Sequence, residues 1–326
     1  MALAAALFVP LVAACGGDDA LTVYSGRSES LVAPLLEQFS EDTGIEVEVR
    51  YGDSAELAAT IAEEGDGSPA AVFFAQDAGA LGSVAGEGLL AELDAALLDR
   101  VPARFRDPEG RWVGLSGRAR VVAYNTEALA EAELPDSIWE YADEEWRGRV
   151  AFAPTNASFQ AMVSAMRLQE GDDRTREWLE ALAANEPRLT ENNLMALEAV
   201  ANGEADVALV NHYYLYEVLR EQPDAPVANH YLGREDAGSL VNVAGAGILA
   251  RTDRAEDARR LLDYLLGEGQ AYFADETAEY PLVDGVEPSQ ALPPLDSIHG
   301  PEIELGELGP QLASTLELLN EVGLTP

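Results

Sequence analysis

Lysine does not occur in this 326-residue chain. All 20 basic residues are arginine, set against 59 aspartates and glutamates, for a formal net charge of −39. So negative a field argues against DNA, RNA or an anionic membrane surface as the main partner. It suits a solvated surface at high salt, where like charges are screened. Cysteine is nearly absent: Cys15 stands alone, which excludes an intrachain disulfide and a thiolate metal cage. Histidine occurs three times, at His212, His230 and His299. The sequence holds no G-x-S-x-G elbow, no H-E-x-x-H pair and no Walker A loop. An enzyme is therefore not expected. What is present is 48% hydrophobic residues, too many for a disordered chain, in a length that accommodates two packed lobes.

The first 14 residues, MALAAALFVPLVAA, carry no charge. This run is too short to span a bilayer but has the length of a signal-peptide core. The positive segment that normally precedes such a core is missing, so a start further upstream is expected. Val12-Ala13-Ala14-Cys15 resembles a bacterial lipobox, with Cys15 as the lipidated first mature residue and residues 1–20 as signal and linker. A buried cysteine in an ordinary strand is the alternative. One acyl chain anchors only marginally, so stable attachment calls for the full lipoprotein modification.

Beyond the linker the pattern is α/β. Leu21–Ser25 reads as a strand, and Leu31, Leu35, Leu36 and Phe39 fall at helical spacing behind Ser28. Ile45–Tyr51 alternates apolar and polar residues, Ser54–Glu64 is helical, and Ala71–Phe74 is a short apolar strand of the kind covered on both faces. Further strands are expected at Trp112–Leu115, Val121–Tyr124, Arg149–Ala153 and Ala205–Val210. Helices are expected at Gln160–Leu168, Arg174–Ala184, Asn192–Asn202, Tyr213–Glu221, Ala255–Leu266 and Gly309–Val322. Gly245-Ala246-Gly247 reads as a closely packed or hinge-adjacent strand.

Five segments in order, LTVYSGRSES (21–30), SPAAVFFAQ (68–76), LSGRARVVAYN (115–125), NHYYLY (211–216) and EYPLV (279–283), resemble the periplasmic ferric-iron-binding proteins of ABC transporters. The resemblance implies a bilobal periplasmic-binding-protein clamp, two mixed-sheet lobes with a ligand cleft between them. The first lobe would comprise Leu21–Asp107 plus Asn242–Asp284, and the second residues 108–241 plus 285–326. It further implies a monomer held outside the cytoplasm that loads iron and passes it to a membrane permease driven by an ATPase.

The residues add their own argument. Tyr213 and Tyr214 follow a strand and open a helix, where ligands collect in open α/β sheets. A helix amino terminus favours phenolate over phenol, and hard ferric iron prefers charged oxygen. By themselves, adjacent tyrosines with Tyr216 also make an ordinary core-and-edge stripe. The resemblance places paired ligands at Tyr213 and Tyr214, with Tyr124 as a third phenolate; an aromatic closing a core strand is the other reading of Tyr124. Relatives that use histidine and glutamate ligands have them where this chain carries Ser28 and Gln76. A three-tyrosine site completed by a carbonate-like anion is therefore expected. Arg27 and Arg118 suit that anion, because a guanidinium matches it bidentately; salt bridges to surface acids are the alternative. Ser116, Gly117, Thr155, Asn156 and Asn211 resemble positions around it, with Ser28, Gln76, Arg120 and His212 further back. His212 could instead contribute imidazole. A binding protein for another solute (an oxyanion, thiamine or a polyamine) and a surface lipoprotein serving protein contacts remain as alternatives.

Overall fold

The structure, a computed structural model, describes residues 20–289 and 292–325. Cys15 and its lipidation lie outside the described residues. The strands are β1 (Leu21–Ser25), β2 (Val47–Tyr51), β3 (Val72–Ala75), β4 (Val113–Asn125), β5 (Val150–Phe152), β6 (Arg188–Leu189), β7 (Val207–Asn211), β8 (Val227–His230), β9 (Val241–Ile248) and β10 (Tyr280–Pro281). The helices are α1 (Glu29–Thr43), α2 (Ser54–Glu64), α3 (Ala78–Gly86), α4 (Ala95–Leu98), α5 (Ala157–Glu170), α6 (Asp172–Ala184), α7 (Asn193–Ala201), α8 (Tyr214–Glu221), α9 (Ala255–Leu265), α10 (Glu268–Asp275) and α11 (Leu308–Glu321). Among the described residues no helix is long and apolar enough to cross a membrane.

One sheet path runs β2-β1-β3-β9-β4-β7-β5-β6, with β8 and β10 also paired to β4. It holds two parallel triplets. β2, β1 and β3 are parallel, as are β7, β5 and β6. The antiparallel strands β9 and β4 lie between them. Each triplet is built from strand–helix units, so each strand's carboxyl end leads into a loop and a helix. Val72, Phe73 and Phe74 are fully buried, as short covered strands require.

β4 is a single strand of 13 residues, buried throughout, where the sequence pattern suggests two separate pieces. The intervening Ser116-Gly117-Arg118-Ala119-Arg120 is polar yet buried, which imitates a break in an apolar pattern. β4 changes partners within this stretch. Up to Ala119 it pairs with β9 and β10, and from Arg120 with β7 and β8. At the changeover Ala119 N–H donates to His212 Nδ1 at 3.2 Å, and His212 N–H donates to Ala119 C=O at 3.0 Å. A side chain there fills a gap in the strand ladder.

Candidate metal and anion site

A cavity of about 260 Å³ opens where the carboxyl ends of the two parallel triplets meet. From the first triplet it is lined by Gly26, Arg27, Ser28 and Glu29 after β1, Tyr51 at the end of β2 with Gly52 and Asp53 after it, and Gln76 after β3. From the second come Thr155 and Asn156 after β5, Glu191 and Asn192 after β6, and Tyr214 after β7. The amino-terminal ends of α1, α2, α5, α7 and α8 therefore all reach the same space. Each contributes partial positive charge, so the cavity favours anionic oxygen.

Tyr213 and Tyr214 are buried with their ring centroids 4.4 Å apart, at the start of α8. Burial, reinforced by the neighbouring Tyr213, pushes the Tyr214 hydroxyl well above its usual pKa. A bound trivalent cation reverses that preference by replacing the phenolic protons. Among the described residues no group of three or more His, Cys, Asp or Glu gathers as a metal nest. The tyrosine pair, at the start of α8 with Tyr214 lining the cavity, is the candidate metal centre.

Arg27, Arg118 and Arg120 lie behind it, none more than 2% exposed. Arg27 Nη2 donates to both carboxylate oxygens of Glu279 at 2.9 Å. Burial opposes its charge, yet Glu279 and the two tyrosines hold it firmly cationic. Arg118 Nη1 donates to Ser158 Oγ at 3.2 Å, and Arg120 Nη1 reaches Asn211 Oδ1 at 3.4 Å. Burial first, and then the adjacent Arg118, lowers the Arg120 pKa to about 9, opposed by Tyr214 and Tyr213. At neutral pH it still carries its charge. Ser158 Oγ also accepts from Asn211 Nδ2 at 2.9 Å and Gln76 Nε2 at 3.4 Å, tying the two triplets together across the cavity. Asn156 caps α5 by accepting from Ser158 N–H at 3.0 Å, and accepts from Asn193 Nδ2 at 3.2 Å.

The structure brings Tyr213, Tyr214, Arg27, Arg118, Arg120, Asn211, Gln76, Ser28, Thr155 and Asn156 into one neighbourhood. Two expectations are corrected and one alternative is removed. Tyr124 is not among these residues. It pairs with Val207 at the far end of β7, whereas Arg120 pairs with Asn211 beside the tyrosines. Because β4 runs antiparallel to β7, each step beyond Arg120 leads away from the site, roughly 13 Å over four residues. The alternative of His212 as an imidazole ligand is removed, because both ring nitrogens are engaged. Its Nδ1 accepts from Ala119 N–H, so its Nε2 carries the proton and donates to Ala278 C=O at 2.9 Å. Burial lowers its pKa to about 4. Ser116 and Gly117 lie inside β4 opposite β9 and β10, not at the cavity. Gly117 answers to packing, since an added Cβ would stand 3.1 Å from Tyr280 Cβ and 3.2 Å from Leu282 Cδ2.

Sequence reasoning missed Glu29, Tyr51, Asp53, Ser158, Glu191, Asn192 and Glu279. Tyr51 and Asp53 could have been found from their place just after a parallel strand. Glu191 and Asn192 follow a two-residue strand that leaves almost no pattern.

Two parallel triplets opening on a shared cavity define a solute-binding protein of the clamp type. A family model described as bacterial extracellular solute-binding protein matches residues 68–297. The chain is 32% identical over 315 residues to the Fe(3+)-binding periplasmic protein of Serratia marcescens, covering 95% of this chain and 92% of that one. Iron-bound HitA from Pseudomonas aeruginosa superposes with a TM-score of 0.89 at 34% identity, covering 94% of this chain and 100% of that one. Trichodesmium IdiA (FutA), in complex with iron and citrate ligands, gives 0.79 at 29% identity, covering 94% of this chain and 100% of that one. The chain belongs to the periplasmic ferric-iron-binding family, substrate-binding components of ABC transporters that act outside the cytoplasm and carry a solute without turning it over.

Proposed function

We propose that this protein captures ferric iron outside the cytoplasm and delivers it to an ABC permease and its ATPase. Tyr213 and Tyr214 act as phenolate ligands, and a carbonate-like anion shares the cavity with the metal. The observation that carries this reading is the buried tyrosine pair set against three buried arginines that retain unpartnered donors. Arg27, Thr155 and Asn156 face the cavity and would hold the anion; Arg118, Asn211 and Gln76 meet at Ser158, whose N–H donates to Asn156. The lobes, Leu21–Asp107 with Asn242–Asp284 and residues 108–241 with 285–326, would close by flexing about β4 and β9. Lipidation at Cys15 would keep the clamp at the membrane.

The test is a visible absorption titration of metal-free protein with a weak ferric chelate, with and without bicarbonate. A saturable phenolate-to-iron charge-transfer band at one iron per chain is expected. It should depend on the anion and vanish in Tyr213→Phe/Tyr214→Phe. The same arginine donors would also suit an oxyanion alone. Stoichiometric phosphate binding by folded protein that takes no iron would establish that second reading.

A further inference from the structure

Charge, more than shape, distinguishes the interior behind the cavity. Glu279 is fully buried and is the one carboxylate, among the described residues, in an ion pair with any of the three buried arginines. Besides its two bonds from Arg27, it lies 3.9 Å from Arg118 Nε and accepts from Thr277 Oγ1 at 3.1 Å. The next acid that Arg118 senses, Asp77, is occupied in capping α3 at Ala80 N–H, 2.9 Å. The three guanidiniums and the one carboxylate paired with them form a cluster of 3 − 1 = +2, and Asp77 is a further buried acid outside it, near Arg118. Five nitrogens of those arginines have no hydrogen-bond partner: Arg27 Nε, Arg118 Nε and Nη2, and Arg120 Nε and Nη2. Unpartnered buried cations call for negative charge from elsewhere. Two tyrosinates bring that cluster to zero and ferric iron adds +3, so the charge favoured in the accompanying anion depends on every charge of the cluster.

We infer that Glu279 is a specificity-determining residue: by cancelling one of three buried guanidinium charges, it sets how much negative charge the anion bound with the metal carries. This rests on the ferric reading above. Glu279→Gln keeps the side chain's size and raises the cluster from +2 to +3, favouring the more highly charged anion. At an effective dielectric near 20, one unit charge several ångströms away changes an affinity by roughly tenfold or more. Arg120→Gln lowers the cluster to +1 at a residue that does not line the cavity, and the double variant restores +2.

The experiment measures half-saturating phosphate and bicarbonate, each as sole anion, from the ferric charge-transfer band. Relative to the unmodified protein, the preference for phosphate over bicarbonate should rise roughly tenfold in Glu279→Gln, fall in Arg120→Gln and return in the double variant. An unchanged preference in a folded, iron-binding Glu279→Gln protein overturns the inference, as does a double variant as displaced as Glu279→Gln. If Glu279→Gln does not fold, Arg120→Gln decides: a fall supports the inference and no change overturns it. If the unmodified protein shows no ferric band, the ferric reading fails by itself. Calorimetric binding of the two anions to the metal-free proteins then gives the same ratio. No anion binding with or without iron overturns both.

Discussion

The interior of this protein inverts its surface. Outside, carboxylates far outnumber arginines, and a pair such as Arg251–Asp66, at 3.3 Å, has both side chains about seven-tenths exposed. Inside, Arg27 and Arg118 share Glu279, Arg120 has no paired acid among the described residues, and much of the donor capacity of all three is unmet. The same side chain therefore does different things in the two places. At the surface an arginine meets an acid already screened by water and salt, so the pair contributes little. Behind the cavity it sits in low dielectric, where charge is felt strongly and desolvation opposes it. Such an arrangement destabilises the empty protein in order to favour a loaded one.

The largest effect expected from this contrast is on the tyrosines. Tyr213→Phe/Tyr214→Phe should abolish the charge-transfer band and ferric retention while leaving the far-ultraviolet circular dichroism unchanged; a retained band would remove the pair from the site. Arg120→Met should sharpen the contrast from the other side. Iron retention against a competing chelator should fall roughly tenfold or more, while the thermal midpoint of the metal-free protein holds or rises, because an uncompensated buried charge is gone. A fall in both would mark Arg120 as ordinary scaffold.

His212 tests the interior through pH. Its folded pKa, lowered to about 4, lies below its ordinary value of 6.5. Protonation is thus disfavoured in the folded state, and the unfolded chain binds the proton first. The contribution is fully present above pH 6.5 and is lost as pH falls from 6.5 towards 4, by an amount on the order of 3 kcal/mol. Urea unfolding at pH 7 and pH 5 should show the decline, and His212→Asn should flatten it. A slope identical in the variant would assign the pH dependence to carboxylates.

Smaller effects close the series. Tyr124→Phe should leave the position and intensity of the iron band unaltered, since Tyr124 lies at the far end of the β4–β7 ladder. A lost third of the intensity would restore it as a ligand. Arg251→Ala should change unfolding stability by less than about 1 kcal/mol, and a larger loss would show that the surface is not as weakly coupled as described.

Much of this was legible in the sequence because strand–helix alternation announces where loops fall. Ser54–Glu64 matches α2 residue for residue, and Tyr213 and Tyr214 stand where a strand gives way to a helix. Direction was not legible. Tyr124 closes an apolar strand just as an inward ligand would, and only the antiparallel pairing of β4 with β7 shows that it lies at the end of the ladder away from the site. Nor was burial of polar groups. Ser116 through Arg120 falls between two expected strands with too little apolar pattern to join them, and Glu279 reads as one acid among 59. Helix α3, AGALGSVAG, carries too little apolar contrast for a periodicity.

The bond between Arg27 and Glu279 joins residues 252 positions apart. During synthesis, the loop bearing Arg27 emerges early and waits for its acid until most of the chain has followed. Closing so long a loop carries an entropic cost that local strand–helix units avoid. The two triplets can therefore order themselves before the pocket between them is electrically complete. A chain cut short of residue 279 would keep its tyrosines and all three arginines but lack the acid that pairs with Arg27 and Arg118. The ion pairing behind the cavity is thus among the last things this chain can complete.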